Sequence, residues 1–119
     1  MSAGPEDILQ MQVARYLAVA SPDLVWFHPA NGGYRNPREA KKLKDMGVKA
    51  GVADLALILP DGRAAFIELK HGKGRQTDTQ KAFEADCART ATPYAICRSL
   101  DDVQQTLAAW SVPTRARPQ

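Results

Sequence analysis

Two apolar runs, Val52 to Leu59 and Arg63 to Lys70, flank the tripeptide Pro60-Asp61-Gly62. Proline presets φ for a turn, aspartate bonds its own backbone two residues on, and glycine accepts positive φ. The segment is therefore expected to fold back on itself as a β-hairpin. Side chains on a strand alternate between faces. Leu55, Leu57 and Leu59 then share one face, and Asp54, Ala56 and Ile58 the other. On the returning strand Ala65, Ile67 and Leu69 oppose Phe66, Glu68 and Lys70. A turn centred on Asp61 pairs Leu55 with Ile67 and Leu57 with Ala65, which keeps one face apolar throughout. It also sets Asp54 across from Glu68. A slip of two residues would keep the faces but change these partners.

Directly opposed side chains on paired strands have Cβ atoms ~4.5–5.5 Å apart, and like charges there repel. Two carboxylates placed beside Phe66 and Ile58 call for a cation, and Mg²⁺ or Mn²⁺ prefers carboxylate and water oxygens. Lys70 lies one pleat beyond Glu68 on the same face. It could orient or help deprotonate a water, or offset the charge that develops on a phosphate. These parts suit hydrolysis of a phosphodiester. The competing reading is a solvated face with a surface ion pair worth ~0–1 kcal/mol. Two features weigh against it. Both strands are apolar on both faces, as in a central sheet. The glycines from Gly47 to Gly51 also leave room for a close approach of backbone or ligand.

The rest of the chain alternates helix and strand signals. Pro5, Glu6 and Asp7 open a helix with the stripe Glu6, Gln10, Val13, Leu17, Ala20, closed by Ser21-Pro22-Asp23. Leu24 to His28 reads as a buried strand, with Trp26 and Phe27 in the core, and Pro29 to Gly33 as a loop. Asn36, Pro37 and Glu39 predict a capped helix that runs to Met46 and stops at Gly47. After the hairpin and a flexible Gly72-Lys73-Gly74 connector, Thr77 and Gln80 begin a third helix that reaches Arg89. Cys87 is expected as a small buried hydrophobe. Pro93 to Arg98 is a fourth strand and Ser99 to Trp110 a last helix. The expected fold is α/β, a central mixed four-stranded sheet flanked by helices, in one domain over 1–110 with a flexible tail over 111–119.

At this point the residues resemble a known pattern. Gly51-Val52-Ala53-Asp54, then Glu68-Leu69-Lys70 and Gln80, is similar to the PD-(D/E)xK nuclease superfamily, and more closely to its VRR-NUC branch, which includes the small stand-alone nucleases of phages. The leading helix with Glu6 and Gln10, the stretch His28 to Gly33 and the run Leu43 to Gly51 extend the resemblance over roughly residues 6–100. It implies a restriction-endonuclease-like αβββαβ core. It also implies metal binding by Asp54, Glu68 and the Leu69 carbonyl, with Glu6 completing the shell. Lys70 would position the attacking water, and Gln80 would support Lys70 or a phosphate. Ala53 stands where the family often has proline, a position without chemistry. Simpler roles compete: Gln80 in a capping box with Thr77, Glu6 as a favourable first-turn acid, and His28 as a hydrogen-bonded structural residue rather than a substrate contact.

Charge adds a partner class. The 119 residues carry 16 Lys and Arg against 13 Asp and Glu, a net +3. Its placement matters more than its size. Arg35, Arg38, Lys41, Lys42, Lys44 and Lys49 lie against Glu39 and Asp45, and Lys70, Lys73, Arg75 and Lys81 against Asp78. Both stretches flank the hairpin and could follow a phosphate backbone, with His28 as a further contact. The expectation is a Mg²⁺- or Mn²⁺-dependent DNA endonuclease; the resemblance implies that it leaves a 5′-phosphate and a 3′-hydroxyl. A chain this short would cut two strands most easily as a homodimer, and the resemblance suggests branched or junction DNA. A non-catalytic DNA-binding module of the same fold and an RNA-cleaving nuclease are the alternatives. The two cysteines form no disulfide framework or zinc motif. No apolar run approaches the ~20 residues of a membrane span, and no secretory signal is evident. A cytoplasmic protein is expected.

Overall fold

The computed structural model describes residues 4–29 and 36–115. Four helices and four strands alternate as α1 (Pro5–Ala20), β1 (Val25–Phe27), α2 (Pro37–Asp45), β2 (Leu55–Ile58), β3 (Ala64–Leu69), α3 (Asp78–Arg89), β4 (Tyr94–Cys97) and α4 (Leu100–Ala109). The strands form one mixed sheet in the order β1-β2-β3-β4, antiparallel except for the parallel pair β3-β4. The hairpin has the expected register, Leu55 with Ile67 and Leu57 with Ala65. Its turn follows from Pro60-Asp61-Gly62. The Gly62 N–H donates to the Leu59 carbonyl (2.8 Å), Asp61 Oδ1 accepts from the Arg63 N–H (3.0 Å), and Gly62 takes φ +92°.

One face of the sheet is sealed. Leu55, Leu57, Ala65, Ile67, Leu69 and Cys97 pack with Leu9, Val13 and Leu17 of α1 and with Val103 and Leu107 of α4. Each of the leucines, the isoleucine and the valines contributes ~1.5–3 kcal/mol on burial. The buried stripe of α1 runs through Leu9, Val13, Leu17 and Ala20. It differs from the expected stripe at its start, where Leu9 is buried, Gln10 half-buried and Glu6 exposed. The other face is covered only in part. α3 sets Phe83 against Phe66 at an edge-on 4.9 Å, and Cys87 and Ala53 complete a second small core.

β1 departs from the expected buried strand. It pairs only with β2, so it lies at the edge of the sheet, and Phe27 is 55% exposed while Trp26 turns toward the core. α2 is capped by Asn36, whose Oδ1 accepts from the Glu39 N–H (2.8 Å). The cap uses Glu39's backbone. Gly47 (φ +102°) ends α2, with its N–H on the Lys44 carbonyl and that of Val48 on the Leu43 carbonyl. None of the residues of α2 is buried. Where composition suggests a frayed tail from Ser111, the chain packs as far as Arg115. Val112 is buried, the Ser21 hydroxyl donates to the Pro113 carbonyl (2.9 Å), and the Arg115 N–H donates to the Ala20 carbonyl (2.7 Å). Residues 116–119 lie outside the described residues.

Candidate active site

The hairpin delivers its charged residues to one end of the sheet. Glu68 and Leu69 close β3. Lys70 continues the line, its N–H donating to the Cys97 carbonyl (3.0 Å). Glu68 is fully buried and Lys70 is 6% exposed, with Lys70 Nζ 3.8 Å from Glu68 Oε2. Such burial rules out the solvated-face reading, since Glu and Lys are almost never buried unless paired. Asp54 does not ladder against Glu68. The chain bends one residue before β2, and Asp54 Oδ2 accepts the Leu69 N–H at 2.7 Å. The carboxylate thus grips the backbone between Glu68 and Lys70. His28 joins from the end of β1, its Nδ1 2.6 Å from the Asp54 carbonyl oxygen. A carbonyl only accepts, so Nδ1 carries the proton.

Three residues at this site are not signalled by the sequence. Tyr94 of β4 donates its hydroxyl to Glu68 Oε1 (2.6 Å), and Gln76 Nε2 donates to the Tyr94 oxygen (3.1 Å). Glu84 of α3 adds a negative charge felt at Glu68. Burial holds the Glu68 carboxyl above its ordinary range. The Tyr94 hydrogen bond and the Lys70 charge pull it down, and Asp54 and Glu84 push it further up. Burial likewise pushes the Tyr94 phenol up, helped by its bond to Glu68. Knowledge of the parallel register that sets Tyr94 beside Phe66 would have revealed the tyrosine. A parallel pair joined through a helix has no turn from which to read it.

The other expected site residues lie apart or are otherwise engaged. Gln80 forms the capping box of α3: its Oε1 accepts from the Thr77 N–H (2.8 Å), and its own N–H donates to Thr77 Oγ1 (3.2 Å). Glu6 borders a shallow pocket with Pro5, Asp7 and His71. Among the described residues no three His, Cys, Asp or Glu side chains cluster closely enough to hold a metal, so Glu6 does not join Asp54 and Glu68. Lys41 pairs with Asp45 (2.8 Å) along exposed α2, and Lys49 lies 3.7 Å from Asp86. Lys42, Lys44, Lys73 and Arg75 are exposed, and Arg35 lies outside the described residues.

The glycines near the site serve the fold. A Cβ on Gly51 (φ +84°) would lie 2.2 Å from the Thr79 carbonyl oxygen, so the close approach there is to the first turn of α3. The Gly72–Gly74 connector is pinned, because Arg98 Nη1 donates to both the Gly72 (2.7 Å) and Gly74 (2.9 Å) carbonyls.

A divalent metal fits the donor set. Glu68 Oε2 is buried without a hydrogen-bond partner, and buried polar atoms seldom lack one. Mg²⁺ keeps several waters and needs only one or two carboxylates. Asp54 and Glu68, with the backbone carbonyl of Leu69, provide hard oxygen donors of that kind.

A mixed four-stranded sheet with a carboxylate pair and a lysine at the end of its central hairpin defines a nuclease-fold domain. The VRR-NUC domain family model matches residues 35–101, more than half of the chain, and the chain belongs to that family. The matched span includes Asp54, Glu68, Lys70 and Gln80 and leaves out Glu6 and His28. A solved structure described as a VRR_NUC domain protein is similar over 95% of this chain and 93% of its own, with a TM-score of 0.67 and 21% identity. No curated protein matches the sequence. Among the described residues no helix is long and apolar enough to cross a membrane.

Proposed function

We propose that this protein is a Mg²⁺- or Mn²⁺-dependent DNA endonuclease. The observation that carries the reading is the buried Glu68-Lys70 pair beside Asp54: an acid whose Oε2 accepts no hydrogen bond and has only the Lys70 ammonium, 3.8 Å away, to face it. A buried polar atom without a hydrogen bond costs ~1–3 kcal/mol, and the Lys70 charge does not cancel the burial, since the Glu68 carboxyl stays above its ordinary range. When bound, a divalent cation supplies Lewis-acid polarisation of a phosphoryl oxygen, and Asp54, Glu68 and the Leu69 carbonyl would hold it. Lys70 brings a positive charge, already desolvated, to the place where negative charge builds up on the phosphate, and it orients the attacking water. Water adds to phosphorus, the bond to the 3′ oxygen breaks, and that oxygen takes up a proton. A 5′-phosphate and a 3′-hydroxyl result.

The exposed lysines of α2 and of the 71–75 loop grip the phosphate backbone without reading bases. Selectivity then follows DNA shape, with branched or junction DNA as the preferred substrate and a homodimer to nick two strands. The two free buried thiols, Cys87 and Cys97, suit a cytoplasmic setting. The test compares the intact protein with Asp54→Ala and Lys70→Ala variants on plasmid, single-stranded and four-way-junction DNA and on RNA, with Mg²⁺, Mn²⁺ or EDTA. Metal-dependent DNA cleavage lost in both variants is expected. Cleavage of nothing under any metal, or variants as active as the intact protein, would overturn the assignment. Cleavage of RNA alone would move it to that substrate.

A further inference from the structure

We infer that Tyr94, held by Gln76, is a positioning residue that fixes which oxygen of Glu68 is available to a divalent metal; the inference rests on the metal-dependent reading above. The hydrogen-bond directions are set by chemistry. An ionised carboxylate only accepts, so the Tyr94 proton goes to Glu68 Oε1, at the 2.6 Å typical of a charge-assisted O–H···O bond. The phenol oxygen can then accept, and Gln76 Nε2 donates to it at 3.1 Å. Oε1 is thereby occupied. Oε2 is the remaining oxygen, buried and without a hydrogen bond, on the side of Lys70.

Three elements meet in this arrangement. Glu68 lies one residue before the end of β3, Tyr94 begins β4 opposite Phe66, and Gln76 precedes α3. The Tyr94 ring packs beside Phe83, with ring centroids 6.2 Å apart, and its hydroxyl is engaged by both Glu68 and Gln76. Without the tyrosine, Glu68 could rotate about its last bond and exchange its two oxygens, or turn both toward Lys70. The phenol removes that freedom before a metal arrives. Partners that orient a metal-binding carboxylate in this way typically change metal affinity ~10–100-fold when removed.

The experiment measures Mn²⁺ binding to the metal-free protein by the loss of the free-ion electron paramagnetic resonance signal. Tyr94→Phe keeps the ring and deletes the hydroxyl. Its dissociation constant for Mn²⁺ should rise by about tenfold or more, and cleavage at saturating Mn²⁺ should recover most of the intact rate. Gln76→Leu, at the surface end of the relay, should weaken Mn²⁺ severalfold in the same direction and decides the matter if Tyr94→Phe does not fold. Mn²⁺ affinity within twofold of the intact protein in a cooperatively melting Tyr94→Phe, or in Gln76→Leu if that variant must decide, overturns the role of Tyr94. An intact protein that binds no Mn²⁺, and behaves like Glu68→Gln in the titration, overturns the metal-dependent reading and this inference with it.

Discussion

Replacing Glu68 with glutamine should stabilise the metal-free protein and destabilise its advantage when metal is present. Glutamine has the shape of the protonated acid and can still accept the Tyr94 hydroxyl. The change weakens a charged hydrogen bond, worth ~1.5–3 kcal/mol, to a neutral one worth ~0.5–1.5 kcal/mol. It also deprives Lys70 of the carboxylate 3.8 Å away. Against these stands the removal of a fully buried charge, and the raised pKa of Glu68 says that burial outweighs both. The glutamine variant is therefore expected to be the more stable of the two near neutral pH. At ~2.1 cal/mol/K per residue of unfolding entropy, each kcal/mol of that difference is roughly 4 °C in Tm for this chain.

The sign with pH is fixed. A carboxyl whose folded pKa is raised binds its proton more tightly in the native state. Its contribution to stability is therefore complete below the unfolded value of 4.5 and is lost as pH rises from there through the folded pKa. The glutamine variant escapes that loss. Its advantage should be absent at the acid end, grow through that window and level off above it. Saturating Mn²⁺ should reverse the order, since a ligand at ~100 times its Kd adds ~2.7 kcal/mol to the intact protein alone. Thermal melts in EDTA and in Mn²⁺ across this pH range would show the crossing. A variant less stable than the intact protein in EDTA at neutral pH, or an order that metal does not change, would refute the reasoning.

Gly51→Ala should cost at least 2 kcal/mol in chemical denaturation, because the new Cβ would meet the Thr79 carbonyl oxygen at 2.2 Å and the backbone has positive φ. Lys42→Ala should weaken DNA binding equally for all sequences and reduce the slope of log affinity against log salt by about 1; salt-insensitive binding by the intact protein would contradict the phosphate-backbone reading. Arg98→Ala frees the Gly72 and Gly74 carbonyls, so hydrogen exchange in residues 71–76 should speed up while β2 and β3 stay protected. Unchanged exchange there would mean that the loop is held by other contacts.

The short-range chemistry of the hairpin was legible from its letters. Pro60-Asp61-Gly62 defines the turn, the turn defines the register, and the register puts Leu55 and Ile67 on the face that α1 and α4 cover. Helix boundaries followed for the same reason: Asn36, Thr77 and Ser99 cap through bonds that span three residues. The sequence also brought Asp54, Glu68 and Lys70 to one end of the sheet. What it could not show is how the carboxylates are used. Asp54 leaves the ladder to hold the Leu69 N–H. Glu68 takes its hydrogen bond from Tyr94, 26 residues away. Phe27 stays outside because β1 has a neighbour on one side only. Each of these depends on the order of strands in the sheet and on the parallel β3-β4 pairing, which no local turn encodes. Local bonds are written in neighbouring residues, whereas the burial of Glu68 and the choice between its two oxygens arise only where β3, β4 and the start of α3 meet.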